Sequence, residues 1–110
     1  MIIGVAGKYS APTEDERKLN LRTLNEAAAR ILEMGHTPLI GINAALPVLE
    51  RATGVETYNA AMQISLAVIN GCEALLLISE SKGANMERDL ILAKGLPVFT
   101  SIADIPPIAQ

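Results

Sequence analysis

Apolar residues fall along this chain in two patterns: short unbroken runs, and longer stretches in which they recur at helical spacing. The first run, Ile2 to Ala6, is largely β-branched and stops at Gly7, which predicts a buried strand. Gly7 to Pro12 is a loop, and Thr13 is placed to cap a helix whose first turn carries Glu14, Asp15 and Glu16, where carboxylates complement the helix dipole. Leu21, Leu24, Ala28, Ile31 and Leu32 then share one helical face, and Gly35 ends the helix. Pro38 to Ile42 predicts a second strand. Asn43 to Gly54 is less regular, with Pro47 suited to start a short helix at its first turn. Glu56 to Asn70 reads as a helix, with Ala60, Ala61, Ile64, Ala67 and Val68 on one face and Gly71 closing it. Ala74 to Ser79 is a third strand, Glu80 to Asn85 a loop, Met86 to Lys94 a helix capped by Gly95, and Pro97 to Thr100 a fourth strand. Asp104 to Gln110 reads as a tail with two prolines.

Strands therefore alternate with helices, and the third and fourth strands are nearly uninterrupted apolar runs, as strands covered on both faces should be. The expected fold is a single α/β domain over residues 1–110: a small doubly wound parallel sheet, flavodoxin-like or Rossmann-like, of roughly four to five strands with helices on both faces. Ligands of such sheets bind outside the carboxyl ends of the strands. Two loops lie there, Gly7 to Thr13 and Glu80 to Asn85, and both carry glycine and small hydroxyl residues.

Composition narrows the function classes. Half of the 110 residues are apolar, which excludes disorder, yet no apolar run approaches the roughly 18 residues of a membrane span. The start of the chain has no basic region ahead of its apolar residues, so no signal peptide is expected and a cytoplasmic location is. Nine Lys and Arg oppose twelve Asp and Glu, and the basic residues are scattered, which argues against a nucleic-acid polymer as partner. Tyr9, Tyr58 and Phe99 are the only aromatics, too few for a base-stacking platform. A small-molecule ligand fits better, and apolar content this high in so small a domain points to a homo-oligomer, a dimer or larger. The one cysteine, Cys72, reads as a small core residue, and His36 as a structural turn histidine. Arg88 and Asp89 read as surface pairing, and Asn43 and Asn59 as either base-binding or solvated amides.

The most informative segment is Ser81-Lys82-Gly83-Ala84-Asn85-Met86-Glu87, a loop with Ser and Gly running straight into a helix. Backbone N–H groups at a helix start bind anions, phosphate above all. Glu87, placed in the first turn, points its carboxylate back toward that site. A carboxylate beside a phosphate or sugar suits glycosidic chemistry, in which Glu attacks or stabilises an oxocarbenium-like anomeric carbon. Spacing alone favours the plainer alternative, that Glu87 complements the helix dipole. Gly7, Lys8, Tyr9 and Ser10 offer a second half-site: close backbone approach, two donors and a ring to cover a base or sugar. The alternative there is an ordinary strand-to-helix turn.

These residues, in this order, resemble the nucleoside 2-deoxyribosyltransferase-like superfamily, which includes nucleoside 5′-monophosphate N-glycosidases and small uncharacterised members. The resemblance spans Ile2 to Phe99. It rests on the strand ending in Gly7-Lys8-Tyr9-Ser10, a helix containing Asn20, Gly35-His36-Thr37-Pro38, and Gly71-Cys72-Glu73-Ala74-Leu75. The Ser81-x-Gly83-x-x-x-Glu87 segment follows, then Ala93-Lys94-Gly95-Leu96-Pro97-Val98, and the Ser-x-Gly to Glu spacing is the most specific piece.

By that resemblance Glu87 is the nucleophile, forming a glycosyl ester that water or a second base discharges. Gly7, Lys8, Tyr9 and Ser10 line the sugar and base site, and Ser81, Gly83, Ala84 and Asn85 hold phosphate or sugar. Serine at position 81, where the transferases carry aspartate, implies a nucleoside 5′-monophosphate over a free nucleoside. No metal and no organic cofactor is implied. The chain departs from the pattern at one place: the helix before the third strand carries Ser65 where the family has an aspartate that handles the proton of the leaving base. General-acid help of that kind is worth about 10²–10⁴-fold. Three expectations follow: an N-glycosidase or deoxyribosyltransferase-like enzyme, a non-catalytic nucleotide-binding sensor of the same fold, or a structural α/β domain with no nucleotide affinity.

Overall fold

The computed structural model describes residues 1–108; Ala109 and Gln110, the end of the expected tail, lie outside the described residues. Four strands, β1 (Ile2–Ala6), β2 (Thr37–Leu39), β3 (Ala74–Leu77) and β4 (Val98–Phe99), form one sheet in the order β2-β1-β3-β4 with every pair parallel. The helices are α1 (Glu14–Glu33), α2 (Gly41–Leu49), α3 (Thr57–Asn70) and α4 (Lys82–Ala93), followed by a short 3₁₀ turn at Ile102–Asp104. The chain winds from β1 outward to β2, then crosses back to β3 on the other side of β1. This is the doubly wound α/β arrangement expected from the sequence.

Side chains on a strand alternate between faces, and the central strands use both. Ile3 and Val5 of β1 and Ala74 and Leu76 of β3 pack with Leu24 and Ile31 of α1 and with Ile105 on one face. Ala6, Leu75 and Leu77 pack with Ile69 of α3 and with Ala84 and Ile91 of α4 on the other. The sheet is thus a wall between two cores, which is why β1 and β3 read as continuous apolar runs.

Several boundaries differ from the sequence expectation. β2 stops at Leu39, and Ile40 precedes α2, so Ile42 is helical. A short apolar run does not by itself distinguish a strand from a buried helix. Pro47 lies inside α2, not at its first turn, and takes away the donor that would reach the Asn43 carbonyl; the helix ends soon after, at Leu49. β3 leaves the sheet at Leu77, not Ser79, and β4 is confined to Val98–Phe99. The expected tail is in part structural: Ile105 is buried, and His36 Nε2 donates to the Pro106 carbonyl at 2.6 Å while its Nδ1 accepts from the Met1 amine at 2.9 Å. The histidine therefore ties the turn before β2 to the last described segment. Cys72 is buried in the second core, as expected.

Gly41 sets how closely α2 meets α3. A Cβ there would stand 2.8 Å from both Cα and Cβ of Ser65, so one neighbour is backbone and cannot swing away. Gly41→Ala replaces glycine by a better helix former, which alone would stabilise by at most about 1 kcal/mol at this first helical position. The clash reverses the sign, and a net loss of about 1–3 kcal/mol is expected in a denaturant melt.

Candidate active site

The winding reverses between β1 and β3, and in open α/β sheets the crevice at such a point takes the ligand. A cavity of about 550 Å³ lies there. Its walls come from the end of β1 and its loop, from α1, from α2, from α3 as far as Ser65 and from the start of α4. Its size is that of small-molecule sites generally.

α4 starts four residues earlier than its apolar pattern predicts. Ser81 is its N-cap, with Oγ accepting from the Ala84 amide at 3.0 Å, while the Ser81 carbonyl accepts from the Asn85 amide at 2.8 Å. Gly83 had made this segment read as loop, although a serine cap was available to start the helix at once. The amides of Lys82 and Gly83, at the first two helical positions, have no acceptor within the helix, and both residues line the cavity.

The earlier start moves Glu87 out of the first turn, where the sequence reading had placed it. The dipole effect falls off within that turn, so complementing it is not what keeps a carboxylate here. Glu87 is 9 % exposed and lines the cavity, and its Oε2 has no hydrogen-bond partner. Burial pushes its pKa up from 4.5 to about 8. Cys72 feels the same surroundings: burial raises its thiol, and the Glu87 charge raises it further.

Of the other residues expected at the site, Gly7, Tyr9, Ser10, Ser81, Gly83 and Ala84 line the same cavity. A Cβ on Gly7 would come within 2.6 Å of Ile78 Cγ1 and 2.9 Å of Ser79 Oγ, so glycine is what lets the two loops touch. The Lys8 amide donates to Ser79 Oγ at 2.8 Å, and Asn20 Nδ2 donates to the Tyr9 carbonyl at 3.0 Å, which holds the first loop in place. Lys8 and Asn85 are not among the lining residues. Lys8 is exposed, and Asn85 lies on α4 away from the cavity with its Oδ1 buried and unpartnered. Asn43 Nδ2 donates to Asn25 Oδ1 at 2.8 Å, and Arg88 pairs with Glu80 and Asp89, so these are accounted for outside the site.

The sequence reading missed several contributors. Arg17 reaches the cavity from α1, with Nη1 donating to the Ala11 carbonyl at 2.9 Å. Lys82 Nζ stands 5.5 Å from the centroid of the Tyr58 ring and so links the starts of α3 and α4. Glu56 lines the cavity but spends its carboxylate on capping α3, accepting from Tyr58 N at 3.0 Å and Asn59 N at 2.7 Å. Ile42, Leu46 and Leu49 of α2 form an apolar wall where the end of a strand, less regular chain and a short helix from Pro47 were expected. Ser65, which stands where the resemblance calls for an aspartate, is 2 % exposed and lines the cavity.

Fold and site together define a parallel α/β domain with a buried carboxylate in its crevice. The chain belongs to the family described as a domain of unknown function, DUF4406, whose sequence model matches residues 2–100. No curated protein matches the sequence. Among the described residues no group of three or more His, Cys, Asp or Glu is placed to hold a metal ion, and no helix is long and apolar enough to cross a membrane.

Glu87 makes stability depend on pH with a definite sign. The folded chain holds its proton up to about pH 8, whereas the unfolded chain releases it near 4.5. The folded state binds the extra proton between those values, so the group's contribution is full below 4.5, declines as pH rises and is gone above about 8. Glu87→Gln has no proton to lose. Denaturant melts across this window are expected to show the variant gaining on the wild type as pH increases.

Proposed function

We propose that the protein cleaves the N-glycosidic bond of a nucleotide or nucleoside, with Glu87 as nucleophile, in the manner of the N-glycosidases and deoxyribosyltransferases it resembles. The observation that carries this reading is the buried Glu87 carboxylate, with Oε2 unpartnered, in the same cavity that Lys82 and Gly83 line at the start of α4. An unsatisfied buried carboxyl oxygen is costly, and a sugar entering the cavity would offer the Glu87 carboxyl group a hydroxyl partner. The phosphate of a nucleoside 5′-monophosphate meets the Lys82 and Gly83 amides, the Ser81 cap and the Lys82 charge. Tyr9 and Ser10 bound the sugar and base.

In the first step a Glu87 oxygen bonds to C1′ as the C1′–N bond breaks, and the base leaves with that electron pair. Water, or a second base, then attacks C1′ of the ester and returns the carboxylate. Attack needs Glu87 ionised. With its pKa near 8 in the free protein, kcat/KM rises with pH up to about that value and levels off above it.

Ser65 at the expected acid position favours a second reading, a nucleotide-binding sensor that uses the same cavity without turnover. The homo-oligomer belongs to the proposal as well, supported by exposed Leu19, Leu32, Val48, Val55 and Leu92.

Chromatography of free base separates the readings. Wild-type protein incubated with ribo- and deoxynucleoside 5′-monophosphates, and with the unphosphorylated nucleosides, is expected to release base preferentially from the phosphorylated set. Glu87→Ala and Glu87→Gln should lose that release by at least about 10³-fold while staying folded. Full activity in either variant would remove Glu87 from the chemistry. A nucleotide-induced rise in Tm with no base released, retained in Glu87→Gln, would identify the sensor.

A further inference from the structure

We propose that Arg17 grips the base of the bound nucleotide with two parallel N–H bonds and so selects a 6-oxopurine over a 6-aminopurine. The inference rests on the N-glycosidase reading of the same cavity. Arg17 lies in the first turn of α1, half-buried, and lines the cavity with Tyr9 and Ser10 of the adjoining loop. Its side chain makes one hydrogen bond, Nη1 to the Ala11 carbonyl, and no ion pair among the described residues includes it. A guanidinium carries about five N–H donors in a rigid plane, so most of the fork remains for a ligand.

The other charged groups in the cavity are committed. Glu56 caps α3, Lys82 stands over Tyr58 at the phosphate end, and Glu87 is the nucleophile of the proposed reaction. The open amides of α4 are the natural place for phosphate, and the sugar must lie over Glu87. The base then meets the walls that are left: the apolar side chains of α2 and the Arg17 fork from α1.

A guanidinium only donates, so its planar fork matches an edge with two adjacent acceptors. Guanine and hypoxanthine offer such an edge in N7 and O6. Adenine offers N7 beside an amino group, which would set N–H against N–H. The same edge matters for the chemistry. As a Glu87 oxygen bonds to C1′ and the C1′–N9 bond breaks, the electron pair passes into the purine and spreads onto N7 and O6. Arg17 stabilises the charge there, and the departing purine takes its proton from water. This stands in for the acid that Ser65 does not supply.

The test compares base release from inosine and adenosine 5′-monophosphates, in ribo and deoxy forms, by wild type, Arg17→Ala and Arg17→Lys. The wild type is expected to favour inosine by about tenfold or more in kcat/KM. That ratio should fall toward one in both variants, because lysine keeps the charge but has no fork. A merely structural role would lower both substrates together and leave the ratio unchanged, which would overturn the assignment. Equal use of both substrates by the wild type would sink the role of Arg17 alone. No base release and no change in Tm with any nucleotide would sink the N-glycosidase reading and this proposal with it. Melting of the unliganded variants checks folding, and Arg17→Lys carries the test if Arg17→Ala does not fold.

Discussion

Everything in the molecule hangs on the pairing of β1 with β3. These two strands divide their side chains between two separate cores, and each core recruits its own helices: α1 on one face, α3 and α4 on the other. Burial of such a pair on both faces removes apolar area from water twice over, at about 25 cal/mol per Å². The same pair brings the two following loops to one edge, where Gly7 lets them touch without a side chain between them. A crevice at that edge is a by-product of the winding, and the chain has lined it with a carboxylate.

The carboxylate is placed against the usual rules of burial. Charged side chains are almost never fully buried without a partner, yet Glu87 is buried with one oxygen unsatisfied and holds its proton well above the ordinary carboxylate range. A core built for stability alone would put an apolar residue there. Local consistency broken at one point, inside a cavity, is how a functional site differs from the scaffold around it. The nearby thiol of Cys72, raised by the same burial, belongs to that scaffold.

Much of this was readable in the residue pattern. The β1 and β3 runs, the Thr13 cap, the Gly35 and Gly95 stops and the alternation of elements are local signals, and the doubly wound sheet follows from them. Ser81, Gly83 and Glu87, the most informative residues of the sequence, all line the one cavity at the carboxyl ends of the strands. What escaped was set by tertiary contact. The helix at Gly41–Leu49 depends on packing against α3, which no local propensity reports. The start of α4 was masked by a glycine inside its first turn, although the serine cap was in plain view. Arg17 carried no signal beyond being basic on a polar helix face; only the folded chain places it against the loop. Lys8, a basic residue in a glycine loop, is exposed and does not line the cavity.

The two outer strands are very short, three residues in β2 and two in β4. An exposed strand border is normally a template on which another chain can add itself. With so few free backbone groups on either border, this sheet gives an incoming strand little to hydrogen-bond. Growth by strand addition, the route to domain swapping and fibrils, is thereby disfavoured, and Pro38 in the middle of β2 adds a proline to one of the borders. Copies of the chain that associate are steered to helix faces and loops, where the exposed leucines and valines lie.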